Sequence, residues 1–317
     1  MARVFACGEA LIDFVPGRME DGEACFVPKP GGSPFNVAKA AAMAGVPCEF
    51  LGAIGNDFLG DMLLDNLRAS GASHDLGQRP DRPAPLAFVA YEEGQPRYSF
   101  HFSGTADEAL RPSLDSVEPE PGDIVHVGSI SLVGASATPV TEFAIAQSEQ
   151  RLLSLDPNVR ASMISNRTKW HGRMERLIAA SSILKLSDED LGYLAPDAAP
   201  DAFARSAIER SRNANGPALV VVTEGGKGAR GFTASGEAHV EAPSITVADT
   251  VGAGDTLMGS MLAWLVAEGM RSRDALSAMD SGRLEAMLRF ATVAAAINCT
   301  RHGCNPPTRE EIEGFAG

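Results

Sequence analysis

Short, nearly continuous apolar runs punctuate the chain at residues 4–7, 49–54, 123–127, 152–155, 182–186 and 218–222. Runs of this kind, with little polar alternation, suit parallel strands buried on both faces. Between them apolar residues recur at three- and four-residue spacing, which predicts helices over 35–44, 58–70, 138–150 and 202–212. Strand and helix in alternation imply βαβ units and a parallel sheet covered on both sides. The expectation is one doubly wound α/β domain over residues 1–317.

Two stretches break that rhythm. Residues 14–30 and 84–103 carry turn signals and alternating strands, and Glu93-Gly94-Gln95-Pro96 between two apolar and aromatic runs reads as a hairpin. Together they form either a small β-layer closing over a cleft as a lid or edge strands without a function.

Composition narrows the function classes. Acidic residues outnumber basic ones 41 to 27, a net charge of −14, so a general basic field for nucleic acid is excluded. The five cysteines are scattered, with no CxxC pair, which argues against a disulfide framework or a zinc site and for a reducing compartment. The first residues lack the apolar segment of a signal peptide, and no segment approaches transmembrane length. A cytosolic protein without a membrane partner is expected.

Two constellations carry chemistry. In ADTVGAGDTLMGS a helix begins near Asp255, with Leu257, Met261, Trp264 and Leu265 at helical spacing. Gly252, Ala253 and Gly254 would present backbone N–H groups at its N-terminus, where the helix dipole favours an anion. An Asp at that place is also an ordinary helix cap, which explains Asp255 alone but not the two glycines. Leu257 excludes a Rossmann GxGxxG, and no GxxxxGK[ST] occurs. The second constellation is GGSPFNVA at 31–38, where a glycine pair opens a helix and Asn36 offers both donor and acceptor. Ser33 as cap and Pro34 in the first turn give a purely structural account of the same residues. Asp13, after the first strand, is a further carboxylate able to accept from hydroxyls.

GGSPFNVAKAAAMAG with DTVGAGD looks like the two signature motifs of the PfkB (ribokinase-like) carbohydrate kinases. The match extends through GEALIDFVP, LDPNVR, LKLSDEDL, VVTEGGKGA and NCTRHGCNPP. The resemblance implies a ribokinase-like three-layer α/β/α sandwich, with a central, mostly parallel sheet and a small β-sheet lid. It implies ATP and Mg²⁺ as cofactors, Asp255 as general base on a sugar hydroxyl, and the amides of Gly252, Ala253 and Gly254 as anion hole. Asp13, Gly31, Gly32 and Asn36 match sugar contacts. Thr223, Gly225, Gly226 and Gly228 match the nucleotide loop, on which Lys227 reaches either phosphate or solvent. Ser187 and Asp190 take the places of an Asn-x-x-Glu motif near phosphate and magnesium. Arg160, with Asn158, points to phosphate or to an acidic substrate group, a surface arginine being the rival reading. Asp249, Val251, Asn298, Arg301 and Gly303 match a potassium site, in which Pro307 replaces a serine hydroxyl.

Several segments resemble fructokinases and their 2-keto-3-deoxygluconate kinase relatives more than ribokinases. Where fructokinases read Phe-Tyr-Arg in the lid, this chain has Phe100-His101-Phe102, so His101 and Phe102 fall where the sugar is selected. Fructose is the expected substrate, 2-keto-3-deoxygluconate the alternative, and a non-catalytic sugar or nucleotide sensor a distant third. The resemblance also allows a homodimer through the lid.

Overall fold

The computed structural model describes residues 2–92, 95–211 and 216–315. Positions 93 and 94 of the expected hairpin turn, and the end of the expected helix at 212, lie outside the described residues. The strands are β1 (Val4–Cys7), β2 (Leu11–Arg18), β3 (Ala24–Gly31), β4 (Cys48–Phe50), β5 (Leu86–Glu92), β6 (Gln95–His101), β7 (Ile124–Gly128), β8 (Leu152–Asp156), β9 (Ile183–Ser187), β10 (Leu219–Thr223), β11 (Ala229–Phe232) and β12 (Glu237–Val240). Eight of them form one sheet in the order β12-β11-β10-β9-β8-β7-β1-β4. It is parallel from β10 to β4, and β11 and β12 add an antiparallel edge.

Alternation within each strand builds two cores. Val4 and Ala6 face one side of the sheet, against α1 (Ser33–Met43) and α2 (Phe58–Ala69). Phe5 and Cys7 face the other, against α3 (Ala137–Gln147), α4 (Arg167–Ala180), α5 (Asp188–Leu194) and α6 (Pro200–Ser211). The first side is completed by α7 (Ala253–Ala267), α8 (Arg273–Ser277) and α9 (Ser281–Cys299). Burial on both faces explains the nearly unbroken apolar runs. The chain winds outward from β1 in both directions, so the crevice at the carboxyl ends of β1 and β7 is a topological switch point, the usual ligand site of such sheets.

The remaining strands make a separate sheet in the order β3-β2-β5-β6. Register puts Leu11, Asp13, Lys29, Ala87 and Phe100 on one face, and Phe14, Phe26, Phe88 and His101 on the other. No described helix is long and apolar enough to cross a membrane.

Candidate active site

α1 and α7 pack backbone against backbone, because a Cβ on Gly259 would stand 2.5 Å from the Val37 carbonyl oxygen. Each helix begins on a glycine with positive φ, Gly32 at 106° and Gly252 at 74°, and neither glycine is assisted by a capping side chain. A Cβ would lie 2.5 Å from the Glu9 carbonyl oxygen at Gly32 and 2.5 Å from Cys304 Sγ at Gly252. Shape therefore demands glycine at both helix starts.

The start of α1 is closed by Glu9, whose Oε1 accepts from Ser33 N at 3.2 Å and Oε2 from Ser131 N at 2.9 Å. Burial pushes this carboxyl up to about 7. The start of α7 has no such closure. Ala253 N–H turns to the Thr250 carbonyl at 3.2 Å, but no described group accepts from the N–H of Gly254 or Asp255. Bare amides at the positive end of a 15-residue helix make an anion site.

α7 starts at Ala253, slightly earlier than its apolar spacing implies, so Asp255 lies within the first turn and Gly252 is the cap. Asp255 is 8 % exposed. Its Oδ1 accepts from Ser33 Oγ at 2.7 Å and its Oδ2 from Asn36 Nδ2 at 2.8 Å, with Asn158 Nδ2 3.4 Å from Oδ1. Ser33, expected as a cap, thus points across to the other helix. Burial raises Asp255 above the ordinary carboxylate range, while Asn36, Ser33, Arg160 and Lys185 favour its ionised form. The carboxylate is held by neutral donors and is in no ion pair among the described residues.

Two cavities flank this point. One, of about 560 Å³, is polar and bordered by Asp13, Asn36, Phe100, Asn158, Arg160 and Lys185. The other, of about 570 Å³, is more apolar and bordered by Thr223, Gly225, Gly226, Gly228, Leu257 and Cys299. Thr250, Ala253 and Gly254 border both, so the bare Gly254 amide lies in the shared wall. Two residues at the rim have positive φ without being glycine, Ser129 at 59° and Asn158 at 38°. Such strain concentrates at functional sites.

The structure brings Asp13, Gly32, Asn36 and Arg160 together with residues 252–255 around the polar cavity. Gly31 sits beside them, and a Cβ there would come within 2.4 Å of Asp13 Oδ2. No described group hydrogen-bonds the Asp13 carboxylate. Burial pushes it up to about 6, opposed by Arg160 and assisted by Asp255. Lys227 is exposed and borders neither cavity.

Ser187 and Asp190 form a capping box at the start of α5. Asp190 Oδ2 accepts from Ser187 N and Oγ, and Oδ1 from Val159 N at 2.6 Å. Neither residue borders either of the two cavities, whereas Glu189 borders the polar one. Asp249, Val251, Asn298 and Gly303 knot together: Asp249 accepts from Val251 N and Gly303 N, and Asn298 Nδ2 donates to the Val251 carbonyl. Arg301 lies in the same loop, bonded to the Asn305 and Pro306 carbonyls. Lys39 pins that loop from beneath, donating to the Cys304 carbonyl at 3.0 Å.

The lid residues differ from expectation. His101 lies on the outer face of the small sheet, edge-on to Phe88 and 3.2 Å from Ser99 Oγ. Phe102 packs against Phe100 in the small apolar cluster of Leu11, Ala87 and Ile130. Tyr98 and Phe100 are the aromatic residues that border the polar cavity. Strand alternation separates 100 from 101, but only tertiary contact tells which side faces inward. Sequence reasoning also passed over Glu9, Asp156 and Lys185. The signal for Lys185 was present: a charge inside the apolar run SILKL has no place in a buried strand without a partner.

A bare helix N-terminus between a polar and an apolar chamber, with an aimed carboxylate beside it, defines a phosphotransferase acting on a small alcohol. The model of the pfkB family of carbohydrate kinases matches residues 1–311, and the chain belongs to that family. It is 34% identical over 285 residues to a fructokinase of Rhizobium leguminosarum bv. trifolii, covering 89% of this chain and 85% of that one. It is 32% identical over 329 residues to the probable fructokinase-4 of Arabidopsis thaliana, covering 98% and 96%. The crystal structure of a fructokinase with bound ATP from Xylella fastidiosa superposes with a TM-score of 0.83 at 27% identity, covering 98% and 97%. The ribokinase-like three-layer fold, with its mostly parallel sheet and smaller second sheet, is therefore that of this chain.

Proposed function

We propose that this protein is a fructokinase, moving the γ-phosphoryl group of ATP to a primary hydroxyl of D-fructose to give fructose 6-phosphate and ADP. The observation that carries the reading is Asp255, held by Ser33 and Asn36 next to the bare Gly254 amide that two cavities share. The polar cavity takes the sugar, with the unpaired Asp13 and the buried, partnerless Asn36 Oδ1 as hydroxyl contacts. The apolar one takes the nucleotide over Gly225, Gly226 and Gly228. Asp255 accepts the hydroxyl proton, and the Gly254 amide receives the transferring group. The names of the relatives support fructose as acceptor and ATP as donor.

Residues 1–317 act as one kinase unit in this reading, and the small sheet, Tyr98 and Phe100 innermost, is the lid over the sugar. Mg²⁺ is the expected partner of the nucleotide. Among the described residues no cluster of three or more acidic, His or Cys ligands stands ready for a metal. The residues fit an ion carried mainly by phosphate oxygens, with Glu189 and, through water, Asp190 nearby. The carbonyl-rich knot around Asp249 and Asn298 suits potassium, less one hydroxyl at Pro307. The exposed Phe26, beside Phe88 on the outer lid face, supports a homodimer through the lid. The five free cysteines accord with a cytosolic location.

Arg160 in the sugar cavity favours one second reading, an acidic acceptor such as 2-keto-3-deoxygluconate. A panel of hexoses and sugar acids, followed by ADP release with Mg·ATP, separates the two. Highest kcat/KM on fructose supports the first, and a failure of every acceptor to stimulate ADP release overturns both.

A further inference from the structure

β9 carries a lysine into the core. Lys185 is 4 % exposed, and Ile183, Leu184 and Leu186 around it are fully buried. An unpaired ammonium there would be strongly destabilising. The partner is Asp156 on the neighbouring β8, whose Oδ2 accepts from Nζ at 2.9 Å. Burial works against the charge on Lys185, but Asp156, Asp190 and Asp255 together hold its pKa above the ordinary lysine value. Burial raises Asp156, and the Lys185 ammonium pulls it back toward the ionised form.

One hydrogen bond uses one of three N–H donors. No other described group accepts from Nζ, and the residue borders the polar cavity. Nζ lies 3.4 Å from where a Cβ on Gly254 would stand. The free ammonium donors therefore lie beside Gly254, whose amide is bare, in the wall of the polar cavity. A cross-strand ion pair kept only for stability would explain the contact with Asp156, not two unused donors at the anion wall.

We propose that Lys185 is a catalytic residue of the phosphoryl transfer, a fixed point charge that completes the cradle begun by the Gly254 amide. The inference rests on the kinase reading given above. In the step, the acceptor hydroxyl oxygen bonds to the γ-phosphorus and its proton passes to Asp255. The bond from that phosphorus to the β–γ bridging oxygen breaks, and its electron pair leaves on ADP. Charge spreads over the three equatorial oxygens meanwhile. Lys185 donates to those oxygens and keeps its proton throughout, while Asp156 aims it.

Lys185→Met alone strands the Asp156 charge in the core, so the test pairs it with Asp156→Asn, which removes both charges and retains the acceptor for Asn158 N. Fructose phosphorylation by this double variant should lose about 10²–10³ in kcat, the range for removing one oxyanion donor, with both KM values within threefold. Binding of ADP with aluminium fluoride and fructose, a mimic of the transferring group, should weaken at least tenfold, while ADP alone binds as before. A kcat within threefold of wild type, or unchanged binding of the mimic, overturns the proposal and leaves the kinase reading standing. A wild-type protein that phosphorylates no acceptor sinks both.

Discussion

Ser33 Oγ donates to Asp255 Oδ1 at 2.7 Å, joining the first turns of two helices 222 residues apart in sequence. Asn36, one turn further along α1, fixes the other carboxylate oxygen. The carboxylate is therefore held by one helix and carried by the other, and its position depends on their packing. Asp255→Asn keeps the shape and removes the proton acceptor. It should lower kcat by about 10²–10⁴-fold, the usual worth of a positioned base, with ATP affinity unchanged by calorimetry. A loss below tenfold would mean that residue 255 serves only the fold.

The pH profile should reflect the burial of the same carboxylate. Burial raises Asp255, which must be ionised to act, so kcat/KM should fall as pH falls, with the acid limb displaced upward from that of an ordinary aspartate. Asp13 at about 6 titrates in the same cavity, so the limb belongs to the pair. Asn36→Ala deletes a hydrogen bond that favours the ionised form, and the limb should move to higher pH. An unmoved limb would assign it to another group.

Glu9 makes a separate prediction about stability. Its folded value of about 7 exceeds the 4.5 of a free glutamate, so the folded state holds the proton more tightly. Its contribution is fully present below pH 4.5 and is lost as pH rises through 7. Glu9→Gln should flatten the dependence of urea midpoint on pH between 5 and 8. An equally steep dependence in the variant would exclude Glu9 as its source.

The lid faces predict which aromatic residues read the sugar. Phe100→Ala should raise the KM for fructose severalfold and leave that for ATP alone, since Phe100 borders the polar cavity. His101→Tyr should leave the ranking of sugars unchanged, because His101 faces outward against Phe88. A reversed ranking would place the selecting contact at 101 after all.

Gly259 tests the helix contact. A Cβ there would meet the Val37 carbonyl oxygen at 2.5 Å, so Gly259→Ala must separate α1 from α7. Overpacking of this kind costs about 1–3 kcal/mol, and it should also lower kcat by moving Asp255 away from Ser33. Thermal unfolding and steady-state rates measure the two effects, and a drop in neither would show that the contact tolerates a methyl group.

Much of this was legible in the chain. The apolar runs at 4–7, 123–127 and 218–222 are strands β1, β7 and β10, almost to the residue, because burial on both faces leaves no other pattern. GGSPFN and GAGD also announced two helix starts that need glycine. What escaped was set by long-range contact. β11 and β12 are four-residue strands at one end of the sheet with Arg230, Glu237 and His239 in them, too short and polar to read. That Gly252 rather than Asp255 caps α7 follows from the φ of Gly252 and its contact with Cys304, neither of which is a local signal. The pairing of Lys185 with Asp156 joins residues 29 positions apart through the register of β8 and β9.

Because Thr250, Ala253 and Gly254 border both chambers, each faces the other through a single partition. One molecule bearing a hexose at one end and adenosine at the other, linked by an oligophosphate tether, would thread that partition and occupy both rooms at once. Its inhibition would be competitive against either substrate, and the tether length giving the tightest binding would measure the span across the wall.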